Sequence, residues 1–344
     1  MSDASLAPSW PRQVLVIKPS SLGDVVHTLP AVAAIKRHYP EAPLRWVVNP
    51  EWAPLLQGNP HIDEVIIFPR AEFRGVRAIT RFLPWARRFG KNYAADLVLD
   101  FQGLLRSGIL SRCARQRASG RTVGLSDARE GAGLFYDETA DVRSRRHAVD
   151  RYLALVEHLG IATPRPLEWP LPPGDPVSGV APGAVLLHPF SRGEGKSLTI
   201  DEVAAICAEL APHPVQIVGR SELSFPLPPN ATNLLNQTTL AQLIWLIRQA
   251  RFVVSVDSGP MHIAAALTDQ LLSIHTWSDP RKVGPYRGDA WVWKDGRLSR
   301  MSEHLPGAAR LPGPPVLSDF TLPQAVWQLV LGSPASGAHT PRVS

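Results

Sequence analysis

The stretch VLVIKPSSLGDVVHTLPAVAAIKR, residues 14–37, decides the fold of this chain. Its first five residues form an apolar run that predicts a buried strand, and the next six, PSSLGD, predict a tight turn. From residue 25 to 38 the apolar residues recur at helical spacing. Strand, turn and helix in this order are typical of the opening of a βαβ unit, so the sequence predicts a parallel sheet.

The same alternation continues along the chain. Further strands are predicted at residues 44–48, 65–68, 97–100, 184–188, 215–219, 252–257 and 271–275, with later helices at 240–249 and 322–331. Seven prolines fall within residues 164–182, which indicates a linker. We therefore predict an α/β protein of two doubly wound, Rossmann-like domains with a cleft at the carboxyl ends of their strands.

The predicted domain bounds follow from this pattern. The first domain is expected at residues 12–165, the proline-rich linker at 166–183, the second domain at 184–332 and a disordered tail at 333–344. Proline, at 34 of 344 residues, is nearly twice its usual ~5% share, which argues against long helical bundles.

Composition also limits the cellular setting. The two cysteines, Cys113 and Cys207, lie far apart without a CxxC spacing, so neither a disulfide framework nor a zinc cluster is indicated. Residues 1–11 lack the apolar core of a secretory signal, and no apolar run reaches the ~18 residues of a membrane span. We expect a cytoplasmic protein.

The net charge is unevenly distributed. The formal charge is +6, and residues 1–170 hold 23 Lys and Arg against 17 Asp and Glu, while the remainder holds 13 of each. An acidic partner for the first half is one interpretation, and a solvated surface rich in arginine is the commoner one.

The segment FVVSVDSGPMHIAAAL, residues 252–267, predicts a strand that leads into a helix. Ser258 is a candidate N-cap, Gly259 permits close approach of the backbone, and Pro260 suits the first helical turn. The N–H groups and the positive end of such a helix would bind a diphosphate. A well-capped helix of any α/β protein, with His262 as a core histidine, explains the same residues.

The turn at residues 19–24 is the second candidate site. Asp24 stands at the start of a helix, whose dipole favours the ionised form, and an ionised carboxylate can accept a proton from an attacking hydroxyl. Helix capping is the alternative role for Asp24. The turn lacks the G-x-G-x-x-G pattern, which disfavours a dinucleotide dehydrogenase.

Five segments together resemble the lipopolysaccharide heptosyltransferases of glycosyltransferase family 9, and heptosyltransferase I most of all. They are residues 14–37, DFQGLLRSG at 100–108, AREGAGLFYDE at 128–138, HAVDRY at 147–152 and VVSVDSGPMHIAAAL at 253–267. The resemblance implies a GT-B fold of two Rossmann-like domains. It also implies transfer of L-glycero-D-manno-heptose from ADP-heptose, with inversion, to the Kdo and lipid A inner core.

The resemblance also implies roles for individual residues. Asp24 matches the catalytic base. The donor-binding positions are Lys196, Glu222, Asp257, Ser258, Gly259 and His262. The expected acceptor-binding residues are Ser21, Gly23, Arg74, Arg77, Arg106, Arg129 and His147. A different nucleotide sugar or acceptor, including the second heptose, stays open, as does a non-catalytic nucleotide-sugar-binding protein.

The charge pattern completes these expectations. Residues 70–91 hold seven Lys and Arg with interleaved aromatic residues. This pattern suits binding to an anionic glycolipid at the inner face of the inner membrane. A solvated amphipathic helix or a nucleic-acid-binding segment has the same pattern. The cleft chemistry disfavours nucleic acid as the partner. No Asp-x-Asp sequence occurs, so we expect no metal cofactor, with Lys196 and a helix N-terminus supplying the positive charge.

Overall fold

The computed structural model describes residues 11–75, 77–193, 195–223, 225–305 and 320–332. The chain divides into two compact units between Pro172 and Pro173, inside the proline-rich segment. The tail expected at residues 333–344 lies outside the described residues.

The first unit is built on a parallel sheet. In chain order its elements are β1 (Val14–Ile17), α1 (Leu22–His38), β2 (Leu44–Val48), β3 (Glu64–Ile67), α2 (Ala78–Asn92), β4 (Leu97–Asp100), α3 (Leu105–Ala114), β5 (Arg121–Leu125), β6 (Glu138–Ala140) and α4 (Ala148–His158). The strands lie in the order 3-2-1-4-5-6, the Rossmann order in which the chain reverses direction across the sheet between β1 and β4.

The register of the central strands places the first candidate site. Ile17 lies opposite Val47 on β2 and opposite Asp100 on β4. Since all three strands are parallel, the residues that follow them meet at one edge of the sheet. Lys18 therefore lies beside Phe101, and its Nζ donates a hydrogen bond of 3.0 Å to the carbonyl oxygen of Phe101. Ligands of such sheets bind at this reversal point.

The aromatic side chains of the basic segment, residues 70–91, pack inside the first unit. Phe73, Phe82 and Phe89 are buried in a core cluster with residues of β1 and β4, and Trp85 packs against that cluster. The arginines of the segment are exposed. The apolar face predicted for residues 70–91 thus packs on the sheet of its own unit, which is the amphipathic-helix interpretation.

The second unit repeats the plan. Its elements are β7 (Val185–His188), α5 (Ile200–Glu209), β8 (Val215–Ile217), β9 (Ala231–Asn233), α6 (Leu240–Gln249), β10 (Phe252–Val256), α7 (Gly259–Leu267), β11 (Leu271–His275), α8 (Pro280–Val283), β12 (Trp291–Lys294), β13 (Arg297–Arg300) and α9 (Leu322–Gly332). From β9 the order is β9-β8-β7-β10-β11-β12-β13. Among the strands in the described part of this unit, only β13 and β12 pair antiparallel. The reversal point lies between β7 and β10.

The last described helix belongs to the second unit. Leu322, Val326 and Val330 of α9 are buried in the core cluster that includes Val203 and Ile206 of α5. These contacts pack α9 against α5 within the second unit.

Candidate active site

Asp24 is held by donors on both of its carboxylate oxygens. Ser21 is the N-cap residue of α1, and both its backbone N–H (3.0 Å) and its Oγ (2.8 Å) donate to Asp24 Oδ2. The hydroxyl of Tyr152, on α4, donates to Asp24 Oδ1 at 2.9 Å. Lys18 Nζ lies 3.8 Å from the same oxygen. The Asp24 side chain keeps 36% of its surface exposed, so the fixed carboxylate faces solvent.

These contacts set the protonation state of Asp24. Burial acts to raise the pKa of Asp24, but the charge of Lys18 and the hydrogen bonds from Ser21 and Tyr152 outweigh it and hold the pKa below its ordinary value. Asp24 is therefore ionised near neutral pH. Burial lowers the pKa of Lys18, against the opposing attraction of Asp24 and Asp100.

Asp24 opens onto a cavity in the first unit. The cavity has a volume of about 390 Å³ and is lined by Lys18, Asp24, Asp127, Arg129, Arg151 and Tyr152, among others. Arg129 is exposed, whereas Arg151 is half-buried and pairs with Asp127. A base beside cationic groups in a polar cavity suits an anionic substrate that carries a hydroxyl group.

The second carboxylate at this edge, Asp100, shapes the cavity wall. It is fully buried and accepts hydrogen bonds from the N–H groups of Gln102 (2.8 Å) and Gly103 (3.1 Å) and from the hydroxyl of Tyr136 (2.7 Å). Burial raises the pKa of Asp100, although these hydrogen bonds oppose the shift. Asp100 therefore holds residues 101–103, which line the cavity.

A second cluster occupies the corresponding edge of the second unit. Lys196 Nζ lies 2.9 Å from Oδ2 of Asp257, which follows β10, and 4.8 Å from the ring centroid of Trp277. The Asp257 side chain is buried, whereas Trp277 is 65% exposed. Burial acts to raise the pKa of Asp257, but Lys196 and Ser278 bond to it and His275 and His262 lie near, and these groups hold the pKa below its ordinary value.

The start of α7 lies in this cluster. Ser258 is the N-cap residue, yet its side chain makes no capping hydrogen bond; its Oγ lies 3.2 Å from Nδ1 of His188 and donates to the carbonyl oxygen of Val256 at 3.1 Å. The partly exposed Gly259 begins the helix. Because the Ser258 hydroxyl turns away from the first turn, the N-terminus of α7 is suited to receive an anion.

Two histidines that the sequence analysis did not single out lie next to this cluster. His188 ends β7 and His275 ends β11, and both are buried. Burial lowers the pKa of each to about 4, so both are neutral at pH 7. His275 is held between Ser278 Oγ (2.9 Å) and Ser273 Oγ (2.6 Å). Their position at strand ends was the available signal.

The structure brings together most of the residues that the sequence singled out. Ser21, Gly23, Asp24 and Arg129 lie at the edge of the first sheet, and Lys196, Asp257, Ser258, Gly259 and His262 lie at the edge of the second. Glu222 is exposed in the loop after β8. Arg74 and Arg77 are exposed just before α2, and Arg106 is exposed in the first turn of α3.

His147 departs from its expected role. The sequence analysis placed it among the acceptor-binding residues, but its side chain has no exposed surface. Its Nδ1 accepts a hydrogen bond from Val149 N at 3.2 Å as the N-cap of α4. We therefore do not retain His147 as an acceptor ligand. Lys18 and Tyr152, which the motif comparison passed over, lie at the carboxylate instead.

Within the described ranges, no group of three or more His, Cys, Asp or Glu side chains is arranged to hold a metal ion. In the same part of the chain, none of the helices has both the length and the apolar surface needed to span a bilayer.

Two Rossmann-type sheets, each with its polar cluster at the reversal point, define an α/β protein of the GT-B class. The family model described as glycosyltransferase family 9 (heptosyltransferase) matches residues 86–181 and 215–301. The lipopolysaccharide core heptosyltransferase OpsX of Haemophilus influenzae is 25% identical over 93% of this chain and 96% of its own length. Lipopolysaccharide heptosyltransferase 1 of Pseudomonas aeruginosa is 31% identical over 80% of this chain and 81% of its own.

A solved structure agrees with the fold. The structure described as Escherichia coli ADP-heptose lipopolysaccharide heptosyltransferase II superposes with a TM-score of 0.70 and 22% identity, over 93% of this chain and 98% of that one. The chain belongs to glycosyltransferase family 9 and is a glycosyltransferase. The family, fold class and enzyme class predicted from the sequence are confirmed.

Proposed function

We propose that this protein transfers L-glycero-D-manno-heptose from ADP-heptose to the Kdo of a Kdo–lipid A acceptor, with inversion at the anomeric carbon. The relatives named as lipopolysaccharide heptosyltransferases support the sugar and the pathway. The observation that carries the proposal is Asp24, which is ionised, fixed at both oxygens and open to a polar cavity.

Asp24 acts as the general base in this proposal. As the acceptor oxygen forms its bond to the anomeric carbon, its proton passes to Asp24 and the bond to ADP breaks. One displacement inverts the anomeric centre, so a single carboxylate is sufficient. The low pKa of Asp24 keeps the carboxylate in its proton-accepting form across the neutral range.

The second unit supplies the donor side. Lys196 exchanges Asp257 for the donor diphosphate and stabilises the charge that develops on ADP. The N-terminus of α7 at Gly259 adds its N–H groups and its dipole. Ser258 and His262 complete the loop, and Glu222 is assigned to the ribose hydroxyls. No step in this scheme uses a metal ion.

The first unit supplies the acceptor side. Arg129 at the cavity and the exposed Arg74, Arg77 and Arg106 provide cations for the phosphates and carboxylates of the glycolipid. Ser21 and Gly23 shape the turn beside the base. Such an acceptor is membrane-bound, so we place the protein at the cytoplasmic face of the inner membrane as a peripheral protein.

Transfer of the second heptose is the other candidate. It is supported by relatives named lipopolysaccharide heptosyltransferase 2, which are 27% identical to this chain over 81% of its length. The two candidates share the donor and the base and differ in whether the accepting hydroxyl belongs to Kdo or to a first heptose.

One assay separates them. Purified protein is incubated with ADP-heptose and either Kdo–lipid A or heptosyl-Kdo–lipid A, and the products are weighed by mass spectrometry. The proposal expects one added heptose on Kdo–lipid A. Addition only to the heptosylated acceptor would establish the second candidate. Binding of ADP-heptose without transfer to either acceptor would refute both, and a panel of other nucleotide sugars tests the donor.

A further inference from the structure

One contact of Asp24 comes from a distant part of the chain. Tyr152, on α4, is 128 residues from Asp24, and its hydroxyl donates to Asp24 Oδ1 at 2.9 Å. The Tyr152 ring is 4% exposed and packs edge-on against Phe101, with ring centroids 5.6 Å apart. Lys18 Nζ lies 4.9 Å from the centroid of the same ring. The phenol is therefore fixed on two sides before it reaches the carboxylate.

The two oxygens of Asp24 are held in different ways. The Ser21 donors that hold Oδ2 belong to the capping box of α1, which stabilises a helix start with or without a catalytic function. The Tyr152 hydroxyl serves no helix cap; it is a tertiary contact between α4 and α1. Together with the capping box it fixes the rotation of the carboxylate, and so the direction in which Oδ1 presents its remaining lone pair to the cavity.

We propose that Tyr152 is a positioning residue of the transfer reaction, which orients Asp24 for proton acceptance and stabilises its ionised form. The proposal rests on the proposed function, because it assigns to Tyr152 the support of the base that function requires. Tyr152 acts through Asp24 and takes no proton itself. Burial and the neighbouring Asp24 raise the pKa of Tyr152 well above its ordinary value, so the phenol stays a donor throughout a neutral assay range.

Other charged groups face Asp24, and the experiment must keep them constant. Lys18 follows β1, and Asp100 ends β4. Asp127 and Arg129 lie after β5, and Arg151 precedes Tyr152 on α4. His27, one turn beyond Asp24 on α1, contacts the ring of His147 at the start of α4. A change confined to the Tyr152 hydroxyl leaves all of these groups in place.

The test is Tyr152→Phe, which removes the hydroxyl and keeps the ring on Phe101. The acceptor kcat/KM is measured against pH at saturating ADP-heptose. Without the phenol the pKa of Asp24 rises, so the acidic limb of the profile moves to higher pH by about one unit, and kcat falls by about tenfold. Tyr93→Phe is the matched control, because Tyr93 is a half-buried tyrosine that packs on Phe89 in the same unit.

Substitution of 3-fluorotyrosine at position 152 gives a second, opposite test. Its more acidic phenol is a stronger donor of the same shape, so the acidic limb moves to lower pH. Cooperative thermal unfolding of the wild type and of each of the three variants shows that all four proteins are folded. A Tyr152→Phe profile whose acidic limb lies at the wild-type pH would overturn the inference, whether or not the rate or the acceptor KM changes. Absence of transfer by the wild-type protein would instead refute the proposed function.

Discussion

Asp24 serves two purposes at once, because the side chain that accepts the proton in the proposed reaction also belongs to the capping box of α1, as the third residue of the helix. Its ionised form is favoured by the helix N-terminus as well as by Lys18. The two roles that the sequence left as alternatives, base and cap, are thus compatible in one residue.

We expect Asp24→Asn to lower kcat by about 10²- to 10⁴-fold, the range typical of a lost general base. Asparagine has the shape of aspartate but does not accept a proton. Binding of ADP-heptose, measured by calorimetry, should stay within a factor of two, because the donor residues lie in the second unit. Asp63→Asn serves as the control, since Asp63 is a surface carboxylate paired with Lys36. Turnover retained in Asp24→Asn would exclude Asp24 as the base.

Lys196 allows a complementary prediction at the donor. Lys196→Ala should lower kcat by about 10²- to 10³-fold, because the departing ADP loses the side-chain cation that Asp257 holds at this cluster. The control is Lys282→Ala, which removes an exposed lysine of α8 in the same unit. Stopped-flow single-turnover measurements report the chemical step directly. Equal loss in both variants would indicate a general electrostatic effect.

At the scale of elements, one glycine fixes how β5 meets the segment before β6. A Cβ atom at Gly124 would lie 2.2 Å from Cε2 of Tyr136, the residue that donates to Asp100. The strand can thus carry no side chain at this point while Tyr136 keeps its place. The buried carboxylate, the tyrosine and the glycine form one arrangement that supports the cavity wall.

Gly124→Ala should therefore destabilise the first unit by about 1–3 kcal/mol, the usual cost of overpacking. Gly133→Ala, in the segment between β5 and β6, is the matched control, because a Cβ there meets nothing within 4 Å, and we expect a change within about 0.5 kcal/mol. Urea denaturation of both variants gives the comparison. Equal stabilities would show that Tyr136 moves aside without loss.

The elements differ in how well the sequence predicted them. Strands with an apolar run, such as Leu44–Val48 and Leu271–His275, have the predicted bounds. The strand expected at residues 215–219 ends at Ile217 instead, and the strand at 65–68 runs from Glu64 to Ile67. β6 and β9 were missed because Glu138–Ala140 and Ala231–Asn233 are three-residue edge strands without an apolar run.

The candidate site likewise contains residues that the sequence predicted and residues that it did not. Asp24, in the first turn of α1, and Asp257, directly after β10, stand in the local structures that the sequence predicted. Tyr152 and His188 were not predicted as site residues. A hydrogen bond between residues 128 positions apart leaves no local pattern, and a position at a strand end does not by itself show that a histidine is buried. His147 was placed among the acceptor ligands because a motif does not report burial.

For the molecule as a whole, the buried histidines predict how stability depends on pH. His188 and His275 have pKa values lowered to about 4 by burial, against ~6.5 when unfolded, so below pH 6.5 the unfolded chain binds protons that the folded chain does not. Their contribution is complete above pH 6.5 and is lost progressively as the pH falls toward 4, by roughly 3 kcal/mol for each histidine.

This dependence is measurable by denaturation at a series of pH values. His275→Gln removes one titrating group, while Ser273 and Ser278 keep a polar partner. Unfolding of this variant between pH 6.5 and 4 should take up about one proton fewer than unfolding of the wild type, so the unfolding free energy should depend less steeply on pH. An unchanged slope would mean that His275 is protonated in the folded protein.

The docking of α4 on α1 also bears on synthesis of the protein. The first unit is translated from β1 onward, and α4 is the last of its helices, so Asp24 leaves the ribosome long before Tyr152 does. While the chain grows, Asp24 has its place in the helix cap but lacks its partner on α4. The contacts of Asp24 are therefore completed together with the first unit, and a nascent chain that ends before residue 152 lacks the hydroxyl that holds Oδ1 of Asp24.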